Sequence, residues 1–180
     1  MLALTLVLTL TAVIIGSVNV FATGERKLPI YCVETDKKQI AISFDAAWGN
    51  DDTQQLIDIL KKYDVPATFF VVGAWVDKYP ESVKALSDAG HQIQNHSNTH
   101  PHMPQLSKAQ MKNEIESCNQ KREAITGKCP TLLRPPYGDY DNSLIEVMES
   151  LNMYTIQWDV DTIDIKVMTN EYHCAIMSIV

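Results

Sequence analysis

The stretch His96-Ser97-Asn98-Thr99-His100 sets two imidazoles four positions apart with small polar residues between them. Their nitrogens can converge on one point, and neutral imidazole suits zinc and similar divalent ions. Two donors do not complete a site, so other reactive side chains must reach the same place. Asp45 closes the apolar run that begins at Ile40, and Arg134 closes the run that begins at Thr131. Asp159, Asp161 and Asp164 follow the run Met153 to Trp158. A carboxylate or guanidinium beside core residues is costly unless paired or liganded, so Asp45 and Arg134 read as functional. Asp51 and Asp52 read instead as residues of a helix start, where the helix dipole favours them. A divalent ion held by the two imidazoles, with a carboxylate as a possible third donor, would activate water and polarise a carbonyl. Asp45 could accept the proton of that water, and Arg134 could pair with Asp45. The chemistry is metal-assisted hydrolysis of an amide or ester, with no substrate named by the residues.

The elements that must position these groups follow from hydrophobic patterning. Strands are expected at Ile40–Asp45, Pro66–Val72, His91–Asn95, Thr131–Arg134 and Met153–Trp158. A helix capped by Asn50 carries Leu56, Ile57, Leu60 and Tyr63 as its apolar stripe. A second runs from Pro80 to Gly90, the usual start and stop residues. A third begins at the capping box Ser107/Gln110, buries Met111, Ile115, Cys118 and Ile125, and stops at Gly127. A fourth starts at Asp141 and presents Leu144, Ile145, Met148 and Leu151. Strand and helix alternate, which implies parallel strands with crossover helices, either as an open sheet or closed into a barrel. Asp45, His96, His100, Arg134 and the late aspartates then share the C-terminal strand ends, where such folds carry their active sites.

The 180 residues carry a formal charge of −7 and suit one domain with a sizeable core. No Lys/Arg cluster offers a phosphate-binding surface, so nucleic acid is not an expected partner. Leu2 to Val20 is apolar, long enough to span a bilayer, and Val20-Phe21-Ala22 has signal-peptidase spacing. Residues 1–22 are therefore expected to direct export, either as a cleaved signal peptide or as a membrane anchor. The polar residues 23–38 are expected to be a linker, and 39–180 the domain. Cys32, Cys118, Cys129 and Cys174 contain no C-x-x-C pair, which argues against a zinc–thiolate cluster.

Ser43-Phe44-Asp45, the histidine motif, Arg134-Pro135-Pro136-Tyr137-Gly138 and Asp161-Thr162-Ile163-Asp164 resemble, in order and spacing, the motifs of the polysaccharide deacetylases. These are carbohydrate esterases built on the NodB homology domain, and Phe44 to Asn50 looks most like the sporulation-associated branch. The resemblance implies an α/β fold, a distorted (β/α) barrel of about seven strands, here without its last strand or strands. It implies removal of N-acetyl groups from a cell-wall or spore polysaccharide, peptidoglycan or a chitin-like glycan, in an extracytoplasmic setting. It assigns Asp45 as catalytic base, His96 and His100 as ligands of a divalent metal (zinc foremost), and Arg134 as the partner of the base. Pro136 and Tyr137 become the groove wall, with a backbone N–H near Tyr137 facing the oxyanion, and Asp164 the acid that orients a general-acid histidine. Three positions depart from the pattern. Ala46 stands where a second aspartate usually completes the metal site, Ile165 replaces a tryptophan, and the closing Leu-x-His is not found, His173 being the only later histidine. The chain from Ile165 onward does not resemble the family, as in a truncated or frame-shifted copy. A catalytically impaired glycan-binding wall protein is the alternative expectation.

Overall fold

The computed structural model describes residues 25–161, and of residues 172–179 the backbone. The expected export segment and Asp164 lie outside the described residues. Seven strands form one sheet in the order β5-β4-β3-β2-β1-β7-β6. They are β1 (Gln39–Ala46), β2 (Thr68–Val71), β3 (Gln92–Asn95), β4 (Leu132–Leu133), β5 (Tyr154–Thr155), β6 (Val160–Asp161) and β7 (Tyr172–Ile179). β1 to β5 run parallel, each beside its predecessor, as crossover helices require. β7 pairs antiparallel with both β1 and β6. The segment 162–171 between β6 and β7 is shorter than the dozen or so residues a parallel crossover needs.

The strand order also requires curvature. β5 and β6 sit at opposite ends of the sheet, yet only residues 156–159 join them. Five residue steps reach at most about 18 Å, whereas a flat seven-stranded sheet is about 29 Å across. The sheet is therefore rolled, which is the (β/α)-barrel geometry.

Among the described residues five α-helices flank the strands: α1 (Thr53–Lys62), α2 (Gly73–Lys78), α3 (Pro80–Asp88), α4 (Lys108–Thr126) and α5 (Asn142–Ser150). Four match the sequence periodicity. Ser107 and Gln110 form the expected reciprocal capping box on α4, and Gly127 ends it at φ +67°. Asp141 Oδ1 accepts the Leu144 N–H at 2.8 Å and caps α5. Asn50 does not cap α1. Its side-chain amide donates to Ser82 Oγ at 2.9 Å, the helix begins at Thr53, and Asp51 and Asp52 lie in the preceding turn. The short α2 has no counterpart among the expected elements. Two apolar clusters result, one around Phe69, Val71, Trp75, Val83 and Leu86, the other around Met111, Ile115, Leu133, Leu144 and Met148.

Part of the expected linker is bound to the domain. Ile30 pairs with Ile156, its N–H donating to Thr155 O and its carbonyl accepting from Gln157 N–H. Lys27 bonds Glu149 at 2.7 Å, and Glu25 O accepts from Asn142 Nδ2. The strap covers the edge of β5, which otherwise presents unpaired backbone groups.

Candidate active site

The strand register explains why distant residues meet. Ala46, Val71, Asn95 and Leu133 form one row across β1 to β4. Asp45 lies one residue before that row, and His96 and Arg134 one residue beyond it. All three therefore stand at the C-terminal rim of the parallel strands, together with the loop that carries His100.

Arg134 is fully buried. Its Nη1 donates to Asp45 Oδ1 at 2.7 Å and its Nη2 to Ser43 Oγ at 2.6 Å. The guanidinium lies 4.2 Å from the Phe70 ring centroid and 5.7 Å from that of Trp158, so its faces are covered by aromatics. With Oδ1 engaged, Asp45 turns Oδ2 toward His96, 3.9 Å from Nε2. His96 Nδ1 is 2.7 Å from Arg134 O. A carbonyl only accepts, so Nδ1 carries a proton, and in neutral His96 Nε2 keeps its lone pair. Arg134 thus holds the carboxylate with its side chain and orients an imidazole with its main chain.

The His96 and His100 rings are 5.0 Å apart. Burial, and next the neighbouring His96, push the His100 pKa down to about 4, which keeps its ring neutral near pH 7. Its buried Nδ1 has no hydrogen-bond partner. A neutral imidazole with an unbonded buried nitrogen, beside a second imidazole of defined tautomer, fits a cation seat. Among the described residues no three of His, Cys, Asp and Glu gather into a fuller ligand set. Position 46 explains part of that: Ala46 is fully buried within the apolar cluster of Val72 and Trp75.

The histidine loop is held by residues that sequence reasoning did not single out. Glu114 of α4 accepts the backbone N–H groups of Asn98 at 2.9 Å and Thr99 at 2.8 Å, and the Thr99 hydroxyl at 2.9 Å. Buried Asn95 accepts the Ser97 N–H at 2.7 Å and donates to Ile115 O and Asn119 Oδ1. Ser97 Oγ accepts the His100 N–H at 3.0 Å. Ser97 and His100 both take the left-handed conformation, at φ +65° and +61°, which these bonds hold. At the start of α2, Gly73 and Ala74 donate to Ser97 O and Asn98 O. A Cβ at Gly73 would press on Asn98 Oδ1 and stand 3.1 Å from Asn98 Cα, so a larger residue there would push on the loop. The sequence signal for Glu114 was slight: an acid set between Met111 and Ile115, beside an apolar stripe.

Pro136 is buried, while Tyr137 is 59% exposed with φ +61°. Its ring meets His100 at 4.6 Å and stacks on His102 at 4.2 Å, and His102 Nδ1 lies 3.1 Å from Asp139 Oδ2. The antiparallel register sets position 173 opposite Asp45. Cys118 is a buried thiol, its pKa pushed up to about 12 by burial, so it is no nucleophile.

The model of the family described as polysaccharide deacetylase matches residues 33–156. The chain belongs to that family. The peptidoglycan-N-acetylmuramic acid deacetylase PdaA of Bacillus subtilis is 37% identical over 138 residues, covering 76% of this chain and 52% of that protein. A peptidoglycan-N-acetylglucosamine deacetylase of Bacillus cereus is 30% identical over 151 residues, 84% of this chain and 55% of that protein. The chain thus spans about half the length of the curated relatives it matches. Among solved structures, a mutant of a family 4 carbohydrate-esterase pseudoenzyme from Bacillus anthracis superposes with a TM-score of 0.76 at 37% identity, covering 78% of this chain and 52% of that one. A family 4 carbohydrate esterase from Streptomyces lividans, in complex with acetate, superposes at 0.66 with 34% identity, covering 78% and 69%. Both have the deacetylase barrel, and the rolled parallel sheet described above is its counterpart in this chain.

Proposed function

We propose that the chain is a metal-dependent hydrolase that removes N-acetyl groups from a cell-wall or spore polysaccharide. The reading is carried by the linked set Arg134–Asp45–His96 beside neutral His100, at the rim where the family's motifs converge. Members of this family generally depend on a divalent metal. His96 and His100 are the residues that would hold it, with zinc first by the chemistry of two imidazoles, and water or substrate in the remaining positions. Such an ion supplies Lewis acidity to the acetamido carbonyl.

The chain's own residues do the rest. Asp45 Oδ2 accepts the proton of the attacking water, while Arg134, itself anchored on Ser43, keeps the carboxylate from rotating away. Buried Arg134 excludes water from the back of the carboxylate. The backbone N–H at Tyr137, in a turn fixed by the Gly138 and Asp139 N–H groups, donates to the developing oxyanion. Pro136 and Tyr137 line the groove that receives the sugar. Asp164 is the acid that would orient the general-acid histidine of the family's closing Leu-x-His, which is not found in this sequence, and the proton that Asp45 takes from water is the one returned to the leaving amine. The peptidoglycan activities of the relatives support action outside the cytoplasm, and in this reading residues 1–22 are an export signal or membrane anchor.

Acetate release from N-acetylated glycan fragments by the zinc-loaded chain tests this reading, with Asp45→Asn as control. Release by the natural sequence and none by the variant supports it; no release from peptidoglycan or chitin fragments overturns it. Ala46 favours a second reading. An apolar methyl occupies the position of the family's second carboxylate, and the neighbour with TM-score 0.76 is described as a pseudoenzyme. A glycan-binding protein without turnover would bind the fragments with measurable affinity and release no acetate.

A further inference from the structure

The loop after β1 carries an aromatic that the reaction above does not use. Trp48 is 67% exposed, although the loop around it is fixed on both sides. Ala46 O accepts the Val72 N–H at 3.0 Å, and Gly49 O accepts the Trp75 indole N–H at 2.7 Å. Beyond it, Asn50 is tied to Ser82. A tethered loop that still points an indole into solvent offers a large apolar surface at little further cost in ordering.

Its position is specific. The Trp48 ring meets His100 at 5.9 Å, and Tyr137 meets the same imidazole at 4.6 Å from the loop after β4. Two exposed aromatics from loops far apart in the sequence thus converge on one imidazole of the proposed metal seat. Tyr137 is held by its stack on His102 and by the His102–Asp139 contact. The ligand that suits such a pair is uncharged and has flat apolar C–H faces, which is the character of a pyranose ring. A nucleobase would also stack, but it brings phosphates, and the chain is acidic overall with a net charge of −7.

We infer that Trp48 is a sugar-stacking residue, which binds the pyranose next to the unit whose N-acetyl group faces His100, and so makes recognition depend on glycan length. The inference rests on the proposed deacetylase or glycan-binding reading and adds to it a specificity-determining residue from the first loop. No bond is made or broken by Trp48; it contributes to binding before the chemical step.

Titration calorimetry of the zinc-loaded chain with N-acetylglucosamine oligosaccharides of increasing length, from the monosaccharide upward, tests it. The natural sequence should bind longer oligomers more tightly than the monosaccharide. Trp48→Ala should weaken oligomer binding by up to about tenfold, leave the monosaccharide unchanged, and melt at the same temperature. Trp48→Phe should restore most of the loss. Oligomer affinity unchanged in Trp48→Ala overturns this inference and leaves the proposed function standing. No binding of any oligomer by the natural sequence overturns both.

Discussion

Arg134 satisfies a carboxylate, a hydroxyl and two aromatic faces from a position with no solvent exposure. Its removal leaves Asp45 buried without its counter-charge, which costs about 3–5 kcal/mol in comparable sites. Arg134→Met should therefore lower the urea midpoint strongly, and Arg134→Met with Asp45→Leu should recover part of the loss, because two apolar residues replace the pair. Equal loss in the single and double variants would show that the packing of Arg134, not its charge, carries the stability. Ala46 poses the opposite case. Ala46→Asp adds a carboxylate next to the histidine rim but places it against Val72 and Trp75. Without metal the variant should melt several degrees below the natural sequence, since a buried unpaired carboxylate is costly. Zinc should restore the melting temperature and bind at least about tenfold more tightly. A zinc affinity equal to that of the natural sequence would show that position 46 does not reach the ion.

The histidine motif is only as good as the loop that holds it, and that loop hangs from α4. Glu114→Ala removes the acceptor of two backbone N–H groups and one hydroxyl, while the residue is only half-buried and lies outside the core. Zinc affinity should fall by about 10- to 100-fold with little change in thermal stability, and Glu114→Gln should recover part of it, having one carbonyl acceptor left. An unchanged zinc affinity would show that Asn95 and Ser97 suffice. The contrast between motif and support marks what was legible in the sequence. Strands such as Thr68–Val71 and helices such as Lys108–Thr126 are written in runs and stripes that burial dictates. Asp45, His96, His100 and Arg134 were legible because reactive groups at strand ends stand out from apolar neighbours. Glu114, Asn95 and Trp48 were not, because each makes its contact across a loop or between elements, which no local periodicity records. The six-residue α2 is too short to show a period, and Asn50 looked like a helix cap until Ser82 claimed its amide.

At the scale of the molecule, the roll of the sheet and the strap over β5 are set by connection lengths and pairings, which hydropathy does not record. The same holds for stability against pH. His91 opens β3 from the far end of the strand that leads to His96, and it is 6% exposed. Its ring packs on Phe69 at 5.5 Å, and its Nδ1 faces the Ala67 N–H at 3.4 Å. Burial lowers its pKa below the usual 6.5. The unfolded chain therefore binds a proton at His91 before the folded one does. The stability that neutral His91 contributes is fully present above pH 6.5 and is lost as pH falls from there toward the folded pKa. His100, lowered to about 4, acts with the same sign over the same range. Between pH 7.5 and 5 the urea midpoint of the metal-free chain should fall, at a pH where most carboxylates are still ionised. His91→Gln retains an acceptor for the Ala67 N–H but cannot titrate, so its midpoint should fall less over that interval. An identical pH slope in His91→Gln would mean that the His91 site opens and hydrates without unfolding.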